Sequence, residues 1–531
     1  MKKSLCITAA VMAIGAIIGC SNGVDDIKGD GSAGVTVSPW SESHDKLHTV
    51  VFEGPRGVDA VGYNSAGTAE EQRGVPFYRI PALYTGSNGW LYAFADKRYG
   101  SNMDTGYNLI GINNKQDWYD VESGATRKIV NQVSNAAGRP VDIVMRVSKD
   151  GGITWGEETV VAAGDGKWNG KPKPEPVLGQ EVEGAQFAGH CDPVPVVDCE
   201  NPNNILVLTC SGSSNYSNTN GPNFILQFRS TDGGKSWTQE DISRQIDIET
   251  NLESGKRFFG AGRSLQSAYK FNGSKYYRVY AHITVGGANG YLMYTDDFGA
   301  TWKLLGEGRT QSFDESKVQE LDKNHLLVTA KQSKNFMMYT LDESGNSVKE
   351  YSSIQNKNVS NINCNGDVIV VQAKNKVSGE VVDLALSSFP QNSFSGSILN
   401  NELNTTDMTS RKNSGTFDRW NIGIKWKELC PSEEVPQIDQ FSGTWEGPYN
   451  LQGNEDIEGC YSVMQELPNG NIGILYEEGP DTRANIRDKE PDPIAKVGRP
   501  FVGYAYGDWN IIKYQELSLE TITGGQYTLV K

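Results

Sequence analysis

Short apolar runs recur along most of this chain, separated by Gly, Asn and Asp rather than joined into long amphipathic stretches. TVVFEG, GWLYAFAD, DIVMRVS, NILVLTC, NFILQFRS, YYRVYAHITV, GYLMYTDD, HLLVTAKQ, GDVIVVQA and GNIGILYEE each set β-branched and aromatic residues between turn formers. That pattern predicts strands. No segment carries a long helical period, so the chain reads as all-β. Its 59 glycines and scattered Trp and Tyr fit the same reading.

Internal repetition narrows the architecture. SKDGGITW at 148–155, STDGGKSW at 230–237 and TDDFGATW at 295–302 share Ser/Thr-x-Asp-x-Gly-x-Ser/Thr-Trp, and LDESGNSV at 341–348 is a decayed copy. The pattern predicts a tight hairpin. Asp accepts turn amides, Gly supplies positive φ, and Trp packs under the next blade. These repeats resemble the Asp boxes (BNR repeats) of sialidases and other β-propellers. Unequal spacing fits blades carrying insertions, and the length and strand count suit six blades. Residues 106–140 interrupt the first blade as a surface loop or a lid over the pocket.

Charge and the termini change the picture next. A net charge of −16 argues against a nucleic-acid partner, yet a local arginine cluster can still bind a small anion. The start of the chain reads as targeting: MKK is basic, LCITAAVMAIGAII is apolar, and IIGC resembles a bacterial lipobox. The expectation is a signal peptide at 1–19, lipidation of Cys20, a Gly/Ser/Asp-rich tether over 20–46, and a propeller over 47–531. An ordinary secretory signal is the alternative. The lipid anchor is then the only expected membrane contact, at a bacterial cell envelope or surface. Neither the six later cysteines nor the five histidines form a metal-ligand pattern, so no cofactor or metal is expected.

GVPFYRIPALY places Arg79 inside an apolar strand, where a permanent charge demands an anion. YRIP ahead of the repeats resembles the Phe/Tyr-Arg-Ile-Pro motif of sialidases (neuraminidases), and the resemblance covers residues 47–531. It implies a central pocket in which three arginines hold a sialic acid carboxylate, Arg79 being the first. TSRKNSGTF resembles the segment of the third member, at Arg411, with Arg419 a weaker rival. The second member's position falls on Lys331, a departure that keeps charge but loses the two-donor fork; Arg263 is another candidate. In FADKRYGSNMDTG, Arg98 and Asp104 match an arginine followed by the general acid/base, with Asp142 a rival for the latter. FDESKVQEL places the catalytic glutamate at Glu315, leaving Glu320 as a structural charge. GCYSVMQELPNGNIGILYE places the nucleophile at Tyr461. GHCDPVPVVD offers Asp192 for the acylamino side of the sugar or as a strand-start turn, with His190 packing nearby.

The resemblance implies an exo-α-sialidase acting on sialylated glycans with retention, through a sialyl-tyrosine. A trans-sialidase using the same adduct, and a non-catalytic sialic-acid-binding adhesin, are the alternatives.

Overall fold

Six antiparallel sheets arranged as propeller blades account for nearly all regular structure in a computed structural model of the chain. It describes Trp40 and residues 43–53, 76–99, 117–119, 126–128, 141–164, 189–212, 223–252, 256–286, 289–306, 310–311, 315–330, 335–347, 351–359, 364–392, 420–429, 437–451, 459–478 and 511–530. The first blade runs Pro76–Thr85, Leu91–Tyr99, Val141–Ser148, Thr159–Ala162 from the centre outward. The second runs His190–Val197, Ile205–Ser211, Phe224–Ser230, Thr238–Asp241. In the third, Arg257–Phe259 and Leu265–Gln266 flank Val279–Val285, followed by Asn289–Thr295 and Lys303–Leu304. The fourth is Lys317–Asp322, His325–Thr329, Asn335–Thr340, Ser352–Gln355. Asp367–Asn375, Val381–Asn392, Trp420–Leu429 and Glu446–Asn450 make the fifth, and Tyr527–Leu529 pairs beside the first of them.

The sixth blade closes the ring. Gly459–Glu466, Ile472–Glu478 and Ile511–Leu517 come from the end of the chain, and His48–Phe52 from its beginning supplies the outer strand, with Thr49 opposite Tyr514. Joining both ends in one sheet leaves no blade unpaired with its neighbours. Burial follows radius: Ile205–Ser211 is buried at every position, whereas Thr238–Asp241 is exposed at every position. Six apolar clusters fill the six gaps between adjacent blades, so the core is a ring of interfaces rather than one centre. Within 106–140, Asp117–Tyr119 pairs with Thr126–Lys128; the rest of that segment lies outside the described residues.

The three intact repeats share one hydrogen-bond scheme at the hairpin between the third and fourth strands of a blade. In the third, Thr295 Oγ1 binds Asp297 Oδ1 at 2.7 Å, and the amides of Gly299 and Thr301 reach Thr295 and Asp297 at 2.8 Å. Ser148–Asp150 and Ser230–Asp232 repeat it. The turns pack on the preceding blade, not the next. A Cβ on Gly152, Gly234 or Gly299 would strike Tyr514, Met145 or Leu206, respectively, each one blade back. Trp155 likewise reaches Thr49 and Trp302 reaches Gln227, both at 3.1 Å. The decayed copy keeps the turn without the tryptophan: Asp342 accepts the amides of Ser344 and Asn346, and the Gly345 carbonyl receives Arg278 of the third blade.

Trp302 is almost fully buried in the cluster between the second and third blades. Trp302→Ala is expected to cost about 3–5 kcal/mol, the range for deleting a large buried aromatic, and Trp155→Ala, at a half-buried position, less. Urea unfolding of the two variants side by side checks the order.

Candidate active site

The inner strands of several blades begin at one end of the central axis, and three of them begin irregularly. Register shifts lie between Arg79 and Ala82, between Cys191 and Val194, and between Gly459 and Ser462. A bulge re-aims the side chains around it. The re-aimed residues here are Arg79, Asp192 and Tyr461. Ile80 has φ +57 and Asp192 φ +59, and for β-branched Ile80 that conformation is strained.

One carboxylate holds this strained segment. Glu477, fully buried on Ile472–Glu478, accepts Arg79 Nε and Nη2 at 3.1 Å each and the Ile80 amide at 2.7 Å. The Tyr461 amide points to its other oxygen at 3.4 Å. Burial opposes the Arg79 charge, but the Glu477 carboxylate outweighs it and raises the guanidinium pKa further. Arg79 Cζ lies 5.2 Å from the centroid of the Tyr461 ring, a cation over a π face. Among the described residues, Arg79 Nη1 takes no hydrogen bond, so one edge of the fork stays available.

Tyr461 Oη makes a short hydrogen bond to Glu315 Oε1, and both residues are buried. The bond joins the sixth blade to the fourth across the axis. Ile80, Ala261, Cys364 and Cys460 form the apolar surround of the tyrosine. The backbone bearing Glu315 is also fixed from the third blade. Ser316 Oγ meets His282 Nδ1 at 2.6 Å, and a Cβ on Gly260 would lie 2.0 Å from the Ser316 carbonyl oxygen. Burial pushes His282 down to about 3, so it is neutral. A phenol hydrogen-bonded to a carboxylate has a proton acceptor in place.

Beside Arg79, on the next strand of the first blade, Arg98 donates to Asp96 Oδ2 from Nε at 3.1 Å and Nη2 at 2.7 Å, and Asp96 Oδ1 accepts the Asp192 amide at 2.9 Å. Cys191, Asp192 and Cys210 bring three possible metal-ligand atoms within 4.8 Å of one another. The Cys191 thiol donates to Asp192 at 3.1 Å, and the Asn223 amide group donates to Cys210 Sγ at 3.0 Å. The hydrogen bond with Cys210 and burial hold the Cys191 thiol well above its usual pKa, so this thiol is protonated.

No family model matches the chain. A sialidase of Micromonospora viridifaciens is 25% identical over 421 residues, covering 78% of this chain and 51% of that protein. A sialidase of Bacteroides fragilis is 24% identical over 417 residues, covering 75% and 60%. One from Paraclostridium sordellii is 24% identical over 416 residues, covering 76% and 81%. The chain therefore spans 51% to 60% of the first two relatives. Over about three quarters of its length the chain is similar to these sialidases. Two solved structures share its fold. The intramolecular trans-sialidase of Ruminococcus gnavus, in complex with oseltamivir carboxylate, has a TM-score of 0.53 at 16% identity, covering 88% of this chain and 99% of that one. The leech intramolecular trans-sialidase, complexed with 2,7-anhydro-Neu5Ac, has 0.52 at 17%, covering 88% and 71%.

Of the residues expected at the site, Arg79, Glu315 and Tyr461 come together, while Arg98 and Asp192 meet through Asp96. Asp104, Lys331, Arg411, Arg419 and Cys20 lie outside the described residues. Arg263 is committed elsewhere: Nε and Nη2 bind Asp367 at 3.0 and 2.9 Å. Asp142 is buried and accepts the Gly164 amide. Glu320 accepts Ser267 Oγ and the Ala268 amide, and burial pushes it up to about 7. His190 is buried against Ser211 and held down to about 4 by burial. Sequence reasoning missed Glu477 and the Ser316–His282 contact. The only signal for Glu477 was a glutamate placed inside the apolar run IGILYEE, where alternation alone would not bury it.

Glu477→Gln leaves the Arg79 guanidinium buried without its anion. It is expected to lower stability by about 3–5 kcal/mol, as when one partner of a buried pair is removed, read as a drop in urea midpoint at unchanged slope.

Proposed function

We propose that this chain cleaves the glycosidic bond of terminal sialic acid residues, with Tyr461 as nucleophile and Glu315 as its base. The observation that carries the reading is the Tyr461–Glu315 hydrogen bond in a buried pocket under the Arg79 guanidinium. Sialic acid bears a carboxylate on its anomeric carbon, and an anionic nucleophile would approach against that charge. A neutral phenol does not, but with a free pKa of about 10 it needs a base near neutral pH. As Oη bonds to the anomeric carbon, Glu315 accepts the phenolic proton and the bond to the leaving oxygen breaks. Asp104 is assigned the proton that the leaving oxygen takes up. In the second step an acceptor hydroxyl attacks the same carbon, Asp104 takes its proton, and Tyr461 leaves with the proton returned by Glu315. Two inversions give retention.

The open Nη1 edge of Arg79 is assigned to the substrate carboxylate, completed by Lys331 and Arg411. Asp192 is assigned to the acylamino side, and Arg98 acts through Asp96. The signal peptide at 1–19 and the lipid on Cys20 would hold this body at the envelope, near sialylated glycans. Among the described residues, no helix is long and apolar enough to cross a membrane.

What attacks the adduct sets the product. Both solved structures quoted above are intramolecular trans-sialidases, which favours a hydroxyl of the sialyl group itself over bulk water as acceptor. A non-catalytic adhesin would have no use for a nucleophile bonded to its base.

Three measurements test this. Released sugar from a sialylated oligosaccharide should be lighter than free sialic acid by one water, by mass spectrometry, if transfer is internal; free sialic acid would indicate hydrolysis. In either case Tyr461→Phe should lose at least about a thousandfold in turnover, and near-normal rates would remove Tyr461 from the mechanism. Asp104→Ala should damage natural sialosides at least about tenfold more than aryl sialosides, whose leaving group needs no proton. Equal losses on the two substrates would count against Asp104 as the acid.

A further inference from the structure

Two thiols of the second blade face each other, and no step above employs them. Cys191 on His190–Val197 stands directly opposite Cys210 on Ile205–Ser211. Both are buried, and no disulfide joins them in this structure. Among the described residues, no strand pairing sets any other two cysteines opposite each other. Residues directly opposite in an antiparallel pair have Cα atoms about 4.5–5.5 Å apart, inside the roughly 4.4–6.8 Å that a disulfide spans. The two sulfurs already lie within 4.8 Å of one another, so a bond of about 2 Å calls for side-chain rotation rather than strand movement. The next pair in register is fixed by its own side chains, His190 Nδ1 meeting Ser211 Oγ at 2.8 Å.

The position of the pair gives it a consequence. The regular register ends at Cys191, and the irregularity between it and Val194 carries Asp192 at φ +59. Asp96 Oδ1 accepts the Asp192 amide at 2.9 Å, and the Asp192 carboxylate accepts the Cys191 thiol at 3.1 Å. A sulfur in a disulfide has no hydrogen to donate. Cys210 Sγ is itself an acceptor, from the Asn223 amide group at 3.0 Å, and a disulfide sulfur can keep that contact. The change on bridging therefore falls on Asp192.

We propose that Cys191 and Cys210 form a reversible disulfide, and that closing it loosens Asp192 and weakens the hold on the acylamino side of the substrate. Two S–H bonds break and one S–S bond forms. The two protons and two electrons go to a small oxidised disulfide such as glutathione disulfide, which leaves as two thiols. Because both sulfurs are buried, exchange proceeds through local opening of the blade or as the chain folds. The envelope location proposed above is a compartment in which such a bond persists. The effect on substrate rests on the reading of Asp192 as a substrate contact; the bond itself does not.

The test starts from protein purified without reductant. One half is incubated with glutathione disulfide in sub-denaturing urea, the other with dithiothreitol. After the remaining thiols are blocked, peptide mapping by mass spectrometry should find Cys191 linked to Cys210 in the first half and not in the second. With the urea removed, KM for an N-acetylated sialoside should be about threefold higher in the oxidised half, with kcat changed less, and dithiothreitol should restore the lower value. Cys210→Ser should show neither the link nor the response, which separates this bond from oxidation at Cys199. Absence of the link in the oxidised half overturns the proposal, and so does a link that leaves KM unmoved. Linked protein without turnover in either form would overturn the sialidase reading alone, because the mapping decides the bond without substrate.

Discussion

Glu477 is the constraint on which the pocket depends. A carboxylate with no exposed surface is tolerable only if its oxygens are occupied by strong donors. Glu477 meets that demand by gathering the Arg79 fork, the Ile80 amide and the Tyr461 amide. The same contacts hold Ile80 at a positive φ that its branched side chain disfavours. Strain in the first blade is thus offset by a charge from the sixth. The site becomes rigid because neither blade can relax without unpairing a buried ion.

The ring architecture makes this economical in residues. Each blade buries apolar surface only against its two neighbours, and closure by His48–Phe52 fixes the last interface as firmly as the others. Inner strands that all start near one end of the axis then bring side chains from distant parts of the chain within bonding distance. Tyr461 and Glu315 are 146 positions apart and share a hydrogen bond. Bulges at the starts of three of these strands turn the side chains inward where regular pleating would alternate them.

What was legible in the sequence follows from the range of each interaction. The repeat hairpins are local. Ser, Asp, Gly and Ser/Thr bond within seven residues, so the pattern announces the turn even in the copy around Asp342 that lost its tryptophan. The direction in which those turns pack was not legible, because the preceding blade is reached only through the closed ring. Arg79 posed a visible demand for an anion. The structural part of the answer, Glu477, sits 398 positions away in a strand that reads as ordinary core. Lys317 was harder still: in ESKVQE it looks like one charge on a solvated strand, and only the Gly262 cleft and the Asn365–Gly366 acceptors reveal it as buried.

Charge at the axis explains how a protein of net charge −16 can present a surface suited to an anion. Long-range repulsion from surface carboxylates is screened over about 8–10 Å at physiological salt. Inside the ring the balance is local. Arg79 stands against Glu477 and Arg263 against Asp367, each pair neutral and each pinned between different blades. The Tyr461 ring lies 5.2 Å from Arg79 Cζ, so a guanidinium and a phenol, not a carboxylate, form this part of the pocket. Glu315, buried like the tyrosine, accepts the phenolic hydrogen bond. A carboxylate in place of Tyr461 would set two buried anions side by side, a repulsion that a phenol at this position avoids.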